Sequence, residues 1–147
     1  MLFPENTIKR KKKNRVVPKP QETPTKMSEI LMNYAWSYAI QDVEDSKLRQ
    51  EFMNVACFAW NFSLLPEEEC NLAITNLVNN TRIARGAEID EAALTNDLHA
   101  LVEHKKMQYP TIKKLVVSTE VFDDGEKVRC RAVSTDYDAM VKAKQLK

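Results

Sequence analysis

A chain of 147 residues can hold one domain with an extension, and a core of that size needs no disulfide or metal staple. An apolar share of 44% and a charged share of 29% are ordinary for a soluble globular protein, and the longest unbroken apolar run, residues 55–60, falls far short of the roughly 20 residues of a membrane-spanning helix. The net charge of +1 conceals a partition: residues 1–26 carry eight Lys and Arg against Glu5 and Glu22, a balance of +6, and the rest of the chain carries 14 Lys and Arg against 19 Asp and Glu, a balance of −5.

Residues 1–26 show no apolar periodicity and hold four of the six prolines, Pro4, Pro18, Pro20 and Pro24. Proline removes backbone donors and the lysines repel one another, so a flexible, extended basic arm is expected here. The start of the chain has no apolar stretch after its charges and does not read as a secretory signal.

From Met27 the pattern becomes helical. Ile30, Leu31, Tyr34, Ala35 and Tyr38 share one face, with Ser28 or Thr25 as the expected cap. After a polar break at residues 41–45, Ser46 offers a cap for a second helix. Its stripes are Leu48, Phe52, Val55, Ala59 and Phe62, and Met53, Cys57, Trp60 and Leu64. A helix apolar nearly all round from residue 52 belongs at the centre of a bundle. The stretch "FAWNFSLLPEEEC" (residues 58–70) then reads as a corner. Pro66 forces Leu65 toward extended geometry and suits the first position of a new helix, whose positive end Glu67, Glu68 and Glu69 complement. That third helix is expected to run from residue 66 to about residue 80, with "NNTRIARGAEI" as the connection and Gly86 as the stop. Asp90 caps a fourth helix bearing Leu94, Leu98, Leu101 and Val102, which ends before Pro110.

Beyond Pro110 the period changes to two. Asp124 and Gly125 signal a hairpin with a two-residue turn. Folded there, Val121 opposes Val128, Thr119 opposes Cys130 and Val117 opposes Ala132 on an apolar face, and Glu120 opposes Arg129 on the polar one. Asp136 then caps a short terminal helix. The expected fold class is α+β: a four-helix core with a C-terminal antiparallel hairpin at residues 115–134, a globular body at 27–137, a short helix or frayed end at 138–147, and the basic arm at 1–26. Only two glycines, Gly86 and Gly125, occur, which favours helices over a many-turned β fold.

The chemistry-bearing residues are few. Lys9, Arg10, Lys11, Lys12, Lys13 and Arg15 can neutralise phosphates, and no aromatic is interleaved to stack on bases. Expected partners are therefore nucleic acid or an acidic protein surface at residues 9–19, with an unknown protein partner for the body. Trp36 lies off its helix stripe and marks a possible partner patch. His99 and His104 stand five residues apart, on different helix faces and not at zinc-ligand spacing, whereas His99 and Glu103 share a face. Cys57, Cys70 and Cys130 form no C-x-x-C pair and read as reduced buried thiols in a cytoplasmic setting. No phosphate-cradling glycine loop or nucleophile elbow is present, so no catalytic residue, metal or cofactor is expected. The alternatives are an enzyme with a dispersed site near His99 and Glu103, and a structural protein that self-associates through hairpin edges.

The segment "AWNFSLLPEEE" (residues 59–69), preceded by "MSEILMNYA" and followed by a helix and a hairpin ending "AVSTDY", resembles a set of small bacterial proteins that share A-W-N-x-S-L-L-P-x-E-E. The resemblance covers about residues 27–137. Some members carry a cysteine-rich zinc module, which this chain lacks. The resemblance implies a bacterial cytosolic setting, disfavours nuclear import as the role of the arm, and implies no catalytic residue.

Overall fold

In the computed structural model, residues 26–86 and 89–145 are described. The expected arm, with Lys9, Arg10, Lys11, Lys12, Lys13 and Arg15, lies outside them, as does the candidate cap Thr25. The switch of period along the sequence is matched by the elements it produces: α1 (Met27–Ala35), prolonged by a π-helical turn (Trp36–Ile40), then α2 (Ser46–Phe62), α3 (Glu67–Arg85), α4 (Glu91–Gln108), β1 (Lys114–Asp123), β2 (Val128–Asp136) and α5 (Tyr137–Gln145). The two strands pair as one antiparallel hairpin, and the fold class is α+β. None of the described helices is long and apolar enough to cross a membrane. The described residues divide into two compact units interleaved along the chain: residues 26–57 with 116–134, and residues 58–115 with 135–145.

In the unit built from residues 26–57 and 116–134, α1 starts without a side-chain cap. The Lys26 carbonyl takes the amides of Glu29 and Ile30, both at 3.0 Å, so Ser28 does not fill the role expected of it. Ile30, Leu31, Tyr34 and Ala35 are buried as their spacing requires. The Gln41 N–H then donates to the Trp36 carbonyl at 2.9 Å, one residue further back than in an α-helix. Across that wider turn Tyr38, Ala39 and Ile40 are all buried, and the Tyr38 and Phe52 rings lie 5.2 Å apart. The cap of α2 is Asp45 rather than Ser46: one carboxylate oxygen accepts from the amides of Lys47 (2.8 Å) and Leu48 (3.0 Å). Arg49 is buried and ties the preceding loop down, donating through Nε to the Val43 carbonyl and through Nη2 to that of Glu44, each at 2.9 Å.

The hairpin turn sits one residue later than expected. The Asp124 N–H donates to the Lys127 carbonyl at 3.2 Å, which leaves Gly125, at φ +96°, and Glu126 as the turn residues. The Asp124 side chain reinforces it by accepting from the amides of Glu126 (2.9 Å) and Lys127 (3.0 Å). Opposed residues therefore slip by two, so Glu120 meets Arg131 at 2.8 Å and Arg129 reaches back to Asp124. A slip of two preserves the faces, where a slip of one would invert them. Val121 accordingly stays buried, with Thr119, Val128, Cys130 and Ala132 half-buried beside it. Val117 is the exception: it is 60% exposed, next to exposed Ser118, while Val116 and Val121 are both buried. The burial alternation of β1 breaks between Val116 and Thr119, and Val117 falls on the exposed side of that break.

The side of β1 that faces away from β2 is closed by a side chain. Gln50 of α2 accepts from the Val121 N–H through Oε1 at 2.7 Å and donates through Nε2 to the Thr119 carbonyl at 3.2 Å. One carboxamide thus presents the donor and acceptor that a neighbouring strand residue would supply. Replacing Gln50 by Leu leaves that N–H and C=O unsatisfied, and a loss of about 1–3 kcal/mol is expected. Urea unfolding measures it, and faster hydrogen exchange at the Val121 amide is the local signature.

In the unit built from residues 58–115 and 135–145, the corner after α2 tightens through bonds from Leu64 N to Asn61 O (3.1 Å) and Leu65 N to Phe62 O (3.0 Å). The Ser63 hydroxyl donates to the Trp60 carbonyl. Pro66 is the cap residue of α3 rather than its first helical residue, with ψ 154° and its carbonyl accepting from Cys70 N at 2.8 Å. Exposed Glu67, Glu68 and Glu69 fill the first turn. α3 continues to Arg85, through most of the expected connection, because nothing before Gly86 breaks it; Gly86, at φ +72°, ends it. Cys70, Ile74 and Val78 are its buried face. Asp90 caps α4 by accepting from Ala93 N at 3.0 Å, and Asp136 caps α5 by accepting from Ala139 N at 2.9 Å.

Trp60 is fully buried in this unit, and its indole N–H donates to the Lys114 carbonyl at 2.8 Å. Its ring lies 5.7 Å from that of Tyr109. Trp60→Phe keeps most of the apolar area but strands a carbonyl, so a loss of about 1–3 kcal/mol is expected. Trp60→Ala adds a cavity and costs about 3–5 kcal/mol. The two urea midpoints order the variants; equal midpoints for Phe and wild type would dismiss the hydrogen bond as a contributor.

Candidate functional site

The residues singled out in the sequence do not converge. The arm lies outside the described residues. Trp36, at the start of the π-helical turn, is half-buried rather than fully exposed. His99 and Glu103 are both exposed on α4, and no hydrogen bond between them is present among the described residues. The His104 ring packs edge-on against Tyr109 at 6.2 Å, and partial burial lowers its pKa. The described residues contain no group of three or more His, Cys, Asp or Glu placed to hold a metal.

The thiols are held in the protonated form. Burial pushes Cys57 up to about 12 despite a weak contact with the Thr119 hydroxyl at 3.9 Å, and pushes Cys130 up to about 11. Burial also raises Cys70, partly offset by Lys106. All three cysteines are free.

A cleft of about 600 Å³ lies within the unit of residues 58–115 and 135–145. Its walls come from the corner after α2 (Ser63, Leu64, Pro66), the C-terminal end of α4 and the loop beyond (Lys105, Lys106, Pro110, Lys113), and the first turn of α5 (Tyr137, Asp138). The prolines and the tight corner make those walls stiff, and the amide of Tyr137 fixes the start of α5 by donating to the Lys113 carbonyl at 2.9 Å. Lys105 is only 3% exposed. Its Nζ donates to the Ile112 carbonyl at 2.7 Å and sits 4.9 Å from the centre of the Trp60 ring, a cation–π geometry. No carboxylate pairs with it among the described residues. Burial and, secondarily, the Lys113 charge lower its pKa. Lys106 and Lys113 are exposed, and Asp138 is the single acid in the lining.

Sequence reading missed this cleft. Lys105 and Lys106 look like ordinary dipole-complementing cations in the last turn of a helix, and Lys113 looks like loop solvation. The available signal was local: two lysines closing α4 and a third three residues after Pro110, with a burial-prone tryptophan elsewhere to take one of them.

The thiol chemistry yields a pH dependence. Cys57 and Cys130 keep their protons in the fold well above the ordinary value of 9.0, whereas the unfolded chain releases them above that value. The fold therefore binds more protons in that window, and the stability this confers is intact below pH 9 and lost as pH rises toward 11 to 12. Cys57→Ala should show a smaller drop in urea midpoint from pH 9 to 11 than the parent chain. At about pH 8, iodoacetamide should alkylate Cys57 slowly in the native protein and rapidly in urea. Comparison of the chain with protein-family models, with curated proteins and with solved structures returns no match.

Proposed function

We propose that this protein is a non-enzymatic binding module that docks on nucleic acid through Lys9, Arg10, Lys11, Lys12, Lys13 and Arg15, while its body engages a second partner. The observation that carries the reading is the charge partition. Six cations crowd into residues 9–15, within an arm of +6, on a remainder of −5. An acidic body repels the phosphate backbone, so attraction concentrates at the arm. A run of lysines and arginines without interleaved aromatics offers phosphates cations but bases no stacking platform, which favours salt-sensitive binding with little sequence preference. Counterion release sets the scale: for single strands each neutralised phosphate adds roughly −0.7 to the slope of log K against log salt, so six contacts give a slope of about −4.

The test is fluorescence anisotropy with a labelled oligonucleotide across a salt series. It compares the full chain with a variant in which those six residues are Gln. Expected are a steep slope for the parent, near-complete loss of binding in the variant, and the same melting curve for both. Undiminished binding by the variant at low salt would defeat the proposal, and so would a parent affinity indifferent to salt.

A further inference from the structure

We propose that the cleft between the end of α4 and the start of α5 is a binding site for a phosphate monoester. It is a second site, separate from the arm. The residues lining the cleft include three lysines, Lys105, Lys106 and Lys113, and one acid, Asp138, a local balance of +2. A phosphate monoester carries a charge of about −1.5 to −2 near neutral pH, whereas a diester carries one negative charge, so the balance favours the monoester. The remaining lining, Leu64, Pro66, Pro110 and the Tyr137 ring, is apolar or aromatic, which suits an organic group attached to the phosphate. A volume of about 600 Å³ accommodates both.

Lys105 carries the argument furthest. A buried ammonium without a counter-ion is costly, and here its described partners are one carbonyl and one aromatic face. An anion entering the cleft supplies the missing charge in a partly desolvated setting, where the attraction exceeds that at an open surface. Lys106 and Lys113, exposed at the mouth, can close on the phosphate oxygens. The first turn of α5 adds the favourable end of a helix dipole. Burial foremost, and the neighbouring Lys113 charge second, lower the Lys105 pKa, and an anion in the cleft opposes both.

The experiment is isothermal titration of the full chain with adenosine 5′-monophosphate, ribose 5-phosphate and 3′,5′-cyclic adenosine monophosphate, a diester. Parallel titrations use K106Q, K113Q and an arm variant, K11Q/K12Q/K13Q. Because Lys106 and Lys113 are exposed, both single variants should retain the parent melting curve, which is recorded alongside. Expected are saturable binding of one monoester per chain, at least tenfold weaker binding of the cyclic diester, a loss of about tenfold in K106Q and in K113Q, and no change in the arm variant. Tight binding of ribose 5-phosphate would identify the phosphate and sugar as the recognised part, and a strong preference for the adenosine monophosphate would extend recognition to the base; either supports the site. Absence of monoester binding overturns the proposal, as do equal binding of the diester and parent-like affinity in both K106Q and K113Q. Loss only in the arm variant would assign the binding to the arm and remove the cleft, leaving the nucleic-acid reading intact.

Discussion

A tryptophan with no exposed surface must find a partner for its one polar hydrogen, and in this chain that requirement organises the unit of residues 58–115 and 135–145. The Trp60 indole reaches the Lys114 carbonyl, fixing the residue that opens β1. The adjoining Lys113 carbonyl then takes the first amide of α5. One face of the ring accepts the Lys105 ammonium, and Tyr109 packs within 5.7 Å. The end of α4, the entry to the hairpin and the start of the last helix thus share one anchor. Ser63, bonded to the Trp60 carbonyl, holds the anchor at the turn of the chain. The cleft is a by-product of this arrangement, because the same anchor that draws Lys105 inward leaves Lys106 and Lys113 at its mouth.

The other unit solves a different problem. A two-stranded sheet has two open sides, and unpaired strand edges invite promiscuous pairing. Gln50 occupies the side of β1 at Thr119 and Val121 with a single carboxamide. At those two positions of β1, a strand from a second copy would have to displace Gln50 before it could pair. On the exposed face the charges of Glu120 and Arg131 pair directly, and the Arg131 guanidinium stacks on the Phe122 ring at 4.3 Å.

What was legible in the sequence had short-range causes. Helix stripes, the Asp90 and Asp136 caps, the Gly86 stop and the hairpin itself follow from residues within a turn or two of each other. The errors have short-range causes as well. Asp45 outcompetes Ser46 because its carboxylate reaches two amides at once, and α3 runs on to Arg85 because Asn79, Asn80 and Thr81 are weak helix formers but not breakers. Asp124 enters the hairpin turn as a flanking acceptor rather than a turn residue, which displaces the register by two without disturbing either face. The bonds that give each unit its character lay beyond reach: Trp60 and Lys114 are 54 residues apart, Gln50 and Val121 are 71 apart, and no periodicity encodes either. The cleft shared that fate, since whether a lysine at a helix end is solvated or swallowed depends on what folds over it.

The ammonium resting on the Trp60 ring also gives the protein an optical voice. Indole emission responds to charge held against the ring, and among the described residues Lys105 is the cation placed there. A change that moved this lysine off the ring would alter the colour or yield of Trp60 emission, seen against the emission of the chain's second indole, Trp36.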